Sequence, residues 1–257
     1  MRNLLWAECQ KLRRSKIAWL ALFAAVMVAA VVFAAGLAVH DGPDVQYGLK
    51  RVWSGTRYID NAGWYMDEAQ PWAGMFVLPA VVALLGGYMV SREKDEDTHK
   101  ALRLIPVDET RLTGAKMLVA LAFSILLYLL LFAVTCLAET ALHGPALTAG
   151  LVLSALKEYT LGGVGAFLAV SPIIALTPRM EKGCWPALVF AEAYSAAGLF
   201  AGMSQALQVV YPITAVFNFC GYHIVSAEKR ALSTGVLLLC GCLAALTLAW
   251  PKGRKDI

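Results

Sequence analysis

The chain predicts an all-α, polytopic membrane fold with six transmembrane helices. Residues 17–39 run 23 residues without a charge, and apolar stretches of this kind recur down the sequence. About 20 such residues in a helix cover the roughly 30 Å hydrocarbon core of a bilayer. Lipid offers a backbone no hydrogen-bond partner but itself, so each stretch should be helical. Composition agrees: 59% of residues are hydrophobic, 16% are charged and the mean hydropathy is +0.63. Soluble domains carry about a quarter charged residues.

Reading apolar runs against their breakers places the spans at about 17–39, 72–90, 117–138, 159–176, 184–203 and 231–250. The first is too long for the 7–15-residue core of a secretory signal and is expected to be retained. Pro71 introduces the second, and Lys116 heads the third. Pro172 lies inside the fourth, Pro186 in the first turn of the fifth, and Pro251 stops the sixth. An even number puts both termini on one side. That side collects 16 of the 22 lysines and arginines and the other 6, which makes both termini cytoplasmic. No repeat or linker divides residues 1–257, so one membrane domain is expected. No soluble stretch is long enough for a basic nucleic-acid surface. The six cysteines are scattered among spans and loops and form no disulfide or metal framework.

The connection at 91–116 is the most organised polar segment. Glu93, Asp95, Glu96 and Asp97 suit a helix start, where carboxylates meet free amides. Ala101, Leu102 and Ile105 then make one apolar face, Pro106 ends it, and Asp108 can cap the next helix. The acidic cluster, Thr98, the short helix, Pro106-Val107 and Lys116 resemble the permeases of type-2 ABC exporters. The opening Leu4-Leu5-Trp6-Ala7-Glu8 through Lys11-Leu12-Arg13-Arg14-Ser15 looks like the same family's start. Size and opening are most similar to the small permeases of lantibiotic-immunity and bacitracin-resistance exporters.

The resemblance implies that residues 97–105 form a coupling helix docking into a separate ABC ATPase, with Asp97, Thr98, Ala101, Leu102, Ile105 and Pro106 as its site. It implies an amphipathic interface helix over residues 1–16, where Leu5, Cys9 and Leu12 can face lipid. A second permease, a bacterial cytoplasmic membrane and an amphiphilic substrate such as an antimicrobial peptide follow from it too. ATP and Mg belong to the ATPase. This chain has no Gly-x-x-x-x-Gly-Lys-Ser/Thr loop, is expected to bind no cofactor and is not expected to be an enzyme.

Candidate substrate residues lie elsewhere. Glu192 sits near the middle of the fifth span, where a carboxylate costs roughly 2.5–3.5 kcal/mol or more unless it faces protein or water. It can meet a cationic substrate, act as a protonatable gate, or bond a neighbouring helix as a neutral acid. Gly198 and Gly202, and more weakly Gly162 and Ala166, have the spacing of close helix packing. The first outer loop, 40–71, offers Trp53, Tyr58, Trp64, Tyr65, Asp67 and Glu68 as an outer surface, either a headgroup anchor or a peptide receptor. Residues 204–230 hold an apolar run too short to span, re-entrant or interfacial, with Asn218 and His223 as structural polar groups. A gradient-driven secondary transporter would want several intramembrane charges and paired halves. A scaffold or membrane-embedded enzyme is the third class, and no clustered catalytic residues favour it.

Overall fold

The computed structural model describes residues 2–40, 62–95, 109–180 and 184–249. Among them every regular element is helical, and six helices are long and apolar enough to cross a membrane. α1 (Arg2–Arg13) leads into α2 (Lys16–His40). α3 (Trp64–Trp72) continues through a π turn (Ala73–Val77) into α4 (Leu78–Asp95). α5 (Glu109–His143), α6 (Ala149–Leu176) and α7 (Cys184–Gly202) follow. Two short helices, α8 (Gln205–Val210) and α9 (Pro212–Cys220), precede α10 (Ala227–Ala249).

The number of spans matches the sequence, but several bounds differ. The second covers Trp64–Arg92, the third Arg111–Ala146, the fourth Ala149–Arg179 and the sixth Ala227–Ala249. A cap and not the end of an apolar run sets the start of the fourth span. Thr148 caps α6, its Oγ1 accepting the Leu151 N–H at 3.4 Å. Pro71 does not start the second span; it lies inside α3. Proline removes an amide donor and crowds the carbonyl four residues earlier. The wider π turn directly after it takes up that mismatch, so the helix continues.

The second and fourth spans occupy the middle of the bundle, 78% and 61% buried against at most 33% for any other. α4 packs against α2, α5, α6 and α7, while α6 packs against α5, α9 and α10. At Gly163 the α5 and α6 backbones meet: an added Cβ would lie 2.8 Å from the Ile125 Cα. Ser124 Oγ donates to the Gly163 carbonyl there at 2.8 Å. Gly87 neighbours Thr177 and Cys184, and Arg179 Nη2 donates to the Thr247 carbonyl at 3.1 Å. One end of the bundle therefore gathers the ends of α4, α6 and α10 with the start of α7.

α1 lies at that end and departs from expectation. Leu12 and Glu8 are buried against the bundle and Leu5 packs on its core, while Cys9 and Trp6 are exposed. The 5-8-12 face turns inward because the Glu8 carboxylate meets Lys11 Nζ at 2.6 Å within the helix. A paired acid can be buried where a lone one could not.

Candidate functional site

Asp97, Thr98, Ala101, Leu102, Ile105 and Pro106 lie outside the described residues, as do Trp53 and Tyr58. α4 reaches Asp95 on one side of the connection, and α5 resumes at Glu109 on the other.

Trp64, Tyr65 and Glu68 were expected on an outer loop and are instead buried in α3, as the first turns of the second span. Trp64 is seated over Gly36 of α2, whose missing side chain leaves room for the indole. Tyr65 Oη donates to the Ala29 carbonyl at 2.5 Å, and its ring lies 5.3 Å from that of Phe33. Glu68 Oε1 accepts the Trp72 indole N–H at 3.1 Å. Asp67 alone of the group is half-buried. These side chains join α2 to α3 and present no aromatic surface to the outside.

Glu139 fixes where α3 begins. It is fully buried near the end of α5. Its Oε2 accepts the Gly63 N–H at 3.1 Å and its Oε1 the Tyr65 N–H at 2.5 Å. His143 Nδ1 lies 2.9 Å from the same Oε2. Gly63 takes a φ of 89°, open to glycine at no steric cost, so the chain can turn into the helix there. α3 is thus capped by a carboxylate 76 residues away, placed at the positive end of its dipole. The apolar run of the third span stops one residue short of Glu139, which made it read as a boundary. Its spacing of four from His143 was the available signal.

Glu192 is exposed on α7. Trp185, Val189, Phe190 and Phe200 are exposed on the same helix. Gly87 approaches Ala187 while Gly198 approaches Met75, so α7 runs antiparallel to the second span. Interpolating between those contacts sets Glu192 level with about residue 81, close to mid-depth. Two residues on, Tyr194 faces inward, its carbonyl accepting the Tyr211 hydroxyl at 2.5 Å. Residues two apart on a helix point about 160° away from one another. Glu192 therefore lies on the flank turned away from α8 and α9. Nearer the opposite end of the bundle, Trp72 is 38% exposed and stacks on Phe76 at 5.4 Å. Gly198 and Gly202 are buried within the protomer, where Gly198 faces Met75, Tyr211 and Ile213. Their spacing serves internal packing.

α8 keeps Leu207 and Val210 exposed and buries Val209, whereas α9 turns inward. α9 is buried from Ile213 to Asn218 and packs against α6 and α10, and α8 packs against α7, α9 and α10. Asn218 Nδ2 donates to Ser233 Oγ at 3.1 Å, and Ser233 donates to the Val209 carbonyl at 3.1 Å. Thr214 Oγ1 donates to the Gln208 carbonyl at 2.9 Å. The hairpin is thus tied to α10 by side chains. His223 is buried with its ring against Phe217 and Tyr222. Among the described residues no group of His, Cys, Asp and Glu could hold a metal ion.

Six spans, a buried amphipathic lead helix and a hairpin folded back among the spans define a polytopic membrane protein. The chain belongs to the ABC-2 transporter family: the family model described as ABC-2 family transporter protein matches residues 4–198. The match runs from α1 through most of α7. No curated protein matches the chain, and no solved structure does. The protein is an ABC transporter permease, a class whose members work with an ABC ATPase.

Proposed function

We propose that this permease is the membrane half of an ATP-driven exporter that moves or extracts an amphiphilic, cationic substrate such as an antimicrobial peptide. A separate ATPase subunit supplies ATP and Mg, docking on residues 97–105. A second permease, identical or homologous, covers the faces of α2 and α7 that flank the second span. Both termini are cytoplasmic, in a bacterial cell membrane.

The observation that carries this reading is the exposure of Glu192 at mid-depth. A carboxylate is not left against hydrocarbon, so protein or water must cover that flank of α7. A path between two permeases supplies both. The Trp72–Phe76 stack, closer to the opposite end of the bundle, offers an aromatic surface to the apolar part of an amphiphile.

A gradient-driven carrier would use acids free to exchange protons or ions. Five further acids lie within the span bounds, Asp67, Glu68, Glu139, Glu158 and Glu228; the two that are buried hold structural bonds, Glu68 to Trp72 and Glu139 to the start of α3, and Glu158 accepts the Ser154 hydroxyl. The test is export by the permease reconstituted with its ATPase, comparing wild type with Glu192→Gln. ATP-dependent export weakened in the variant, with assembly unchanged, is the expected result. Export that proceeds without the ATPase on an ion gradient alone would overturn the reading.

A further inference from the structure

The π turn at Ala73–Val77 interrupts the second span, the most deeply buried of the six. There the Leu78 N–H reaches back five residues to the Ala73 carbonyl, where an α-helix would reach four. Three polar side chains from three helices border this turn. Gln70 precedes Gly74 by one helical turn. Its Nε2 donates to Cys220 Sγ at 3.5 Å, and its Oε1 has no hydrogen-bond partner among the described residues. The Tyr128 hydroxyl of α5 has none either, and it lies 3.1 Å from where a Cβ on Gly74 would stand. Tyr128 and Gln70 both pack over Gly162 of α6, whose Cβ would meet the Tyr128 ring at 3.0 Å and Gln70 Nε2 at 3.5 Å. Ser195 lies on the face of α7 that carries Ala187 and Gly198 toward the second span, level with about residue 78. Its hydroxyl is also unpartnered among the described residues.

Gln70, Tyr128 and Ser195 are all buried. Buried polar groups are normally hydrogen-bonded, and leaving one unpaired costs free energy. The equally buried Tyr159 hydroxyl follows that rule, donating to the Met66 carbonyl, and Ser124 donates to the Gly163 carbonyl. Three exceptions gathered at one irregular turn therefore point to partners in another arrangement. The set is complementary, two hydroxyl donors and one carbonyl acceptor. The turn supplies the means. A π turn holds one residue more than a regular helix, and passing that residue along the chain turns each residue it crosses by about 100° and shifts it by about 1.5 Å. Gly74 has no side chain at its approach to Tyr128, so it can turn there without collision.

We propose that the π turn is a two-state joint. In the second state the extra residue has moved along the span. The Tyr128 hydroxyl then donates to the Gln70 side-chain carbonyl, and the Ser195 hydroxyl to a main-chain carbonyl of the turn. Groups idle in the present state are the bonds that hold the other one. α3 stays gripped by Glu139 while the turn changes. The span between that grip and the connection at residues 96–108 thereby has two settings. The joint does not depend on what the permease carries.

The experiment is hydrogen exchange read by mass spectrometry on the full chain in lipid nanodiscs, with a thermal melt alongside. Corrected for intrinsic rates, the amides of residues 74–78 should exchange about tenfold faster than those of residues 162–170 in the fourth span. Tyr128→Phe and Ser195→Ala each remove a bond that only the second state makes. Each should slow exchange at the turn about fivefold, the factor one hydrogen bond contributes, and leave the melting temperature unchanged or raised. Tyr159→Phe breaks a bond of the present state and should lower the melting temperature without slowing the turn. The wild-type comparison needs no variant, so a poorly folded variant leaves the question decidable. A wild-type turn as protected as the fourth span would overturn the proposal, and so would a turn slowed equally by Tyr159→Phe. Unchanged or faster exchange in Tyr128→Phe would overturn it too. With a lowered melt, the faster exchange would mark a hydroxyl already bonded in the present state, to a buried water.

Discussion

Glu192 and Glu139 are both acids within helices of the bundle, and their surroundings give them opposite tasks. Glu139 is enclosed and accepts two backbone amides. Glu139→Ala should lower stability by about 3 kcal/mol, because bonds to a charged acceptor contribute about 1.5–3 kcal/mol each and their loss is partly offset by relaxation. Glu139→Gln, which keeps one carbonyl acceptor, should fall between. A thermal melt in detergent checks this, and an unchanged melt for Glu139→Ala would remove the cap from the account. Glu192 faces outward, so Glu192→Gln should leave the melt alone and reduce export. Losing a charge-assisted bond to a cationic substrate costs on the order of 1.5–3 kcal/mol, tenfold or more in affinity. An export assay shows which holds; wild-type export by Glu192→Gln with failed assembly of Glu192→Ala would make the residue structural.

Individual helices were legible where apolar length alone decides the outcome and obscure where a distant contact decides it. The six spans followed from uncharged runs. Trp64 and Tyr65 read as an outer surface, headgroup anchor or peptide receptor, because nothing near them in sequence announces Gly36 or the Ala29 carbonyl. Pro71 read as a helix entrance because the π turn that accommodates it has no residue signature. The apolar run at 209–220 reads as too short to span, and no span is found there. The inward placement of α9 depends on Ser233, 15 residues from Asn218, and on Tyr194, 17 from Tyr211. Packing predictions belong at this level. Gly163→Val would force α5 and α6 apart and should cost about 1–3 kcal/mol, whereas Gly150→Ala, with nothing within 4 Å, should be neutral. Paired melts decide it, and equal behaviour of the two would contradict the close crossing. For the connection at 97–105, Leu102→Asp with Ile105→Asp should leave the protein inserted but abolish co-purification of the ATPase. Each buried side chain would contribute about 1.5–3 kcal/mol; wild-type binding by the double variant would move the docking site elsewhere.

For the molecule as a whole, the 16-to-6 division of lysine and arginine predicts the orientation. Cysteines placed at Lys100 or Arg254 should resist an impermeant thiol reagent in intact cells, while one at Asp60 should react. External labelling at Lys100 or Arg254 would invert the topology. The grip of Glu139 on the start of α3 has a mechanical side. The second and third spans are joined at one end by the chain itself, through residues 96–108. At the other they are joined by the bonds from Glu139 to Gly63 and Tyr65. Two rods clamped together at that end resist sliding past one another there and tilt more readily than they slip. A displacement of α4 would then reach the far end of the bundle as a tilt shared with α5 and not as a piston stroke, carrying the Trp72–Phe76 stack with it.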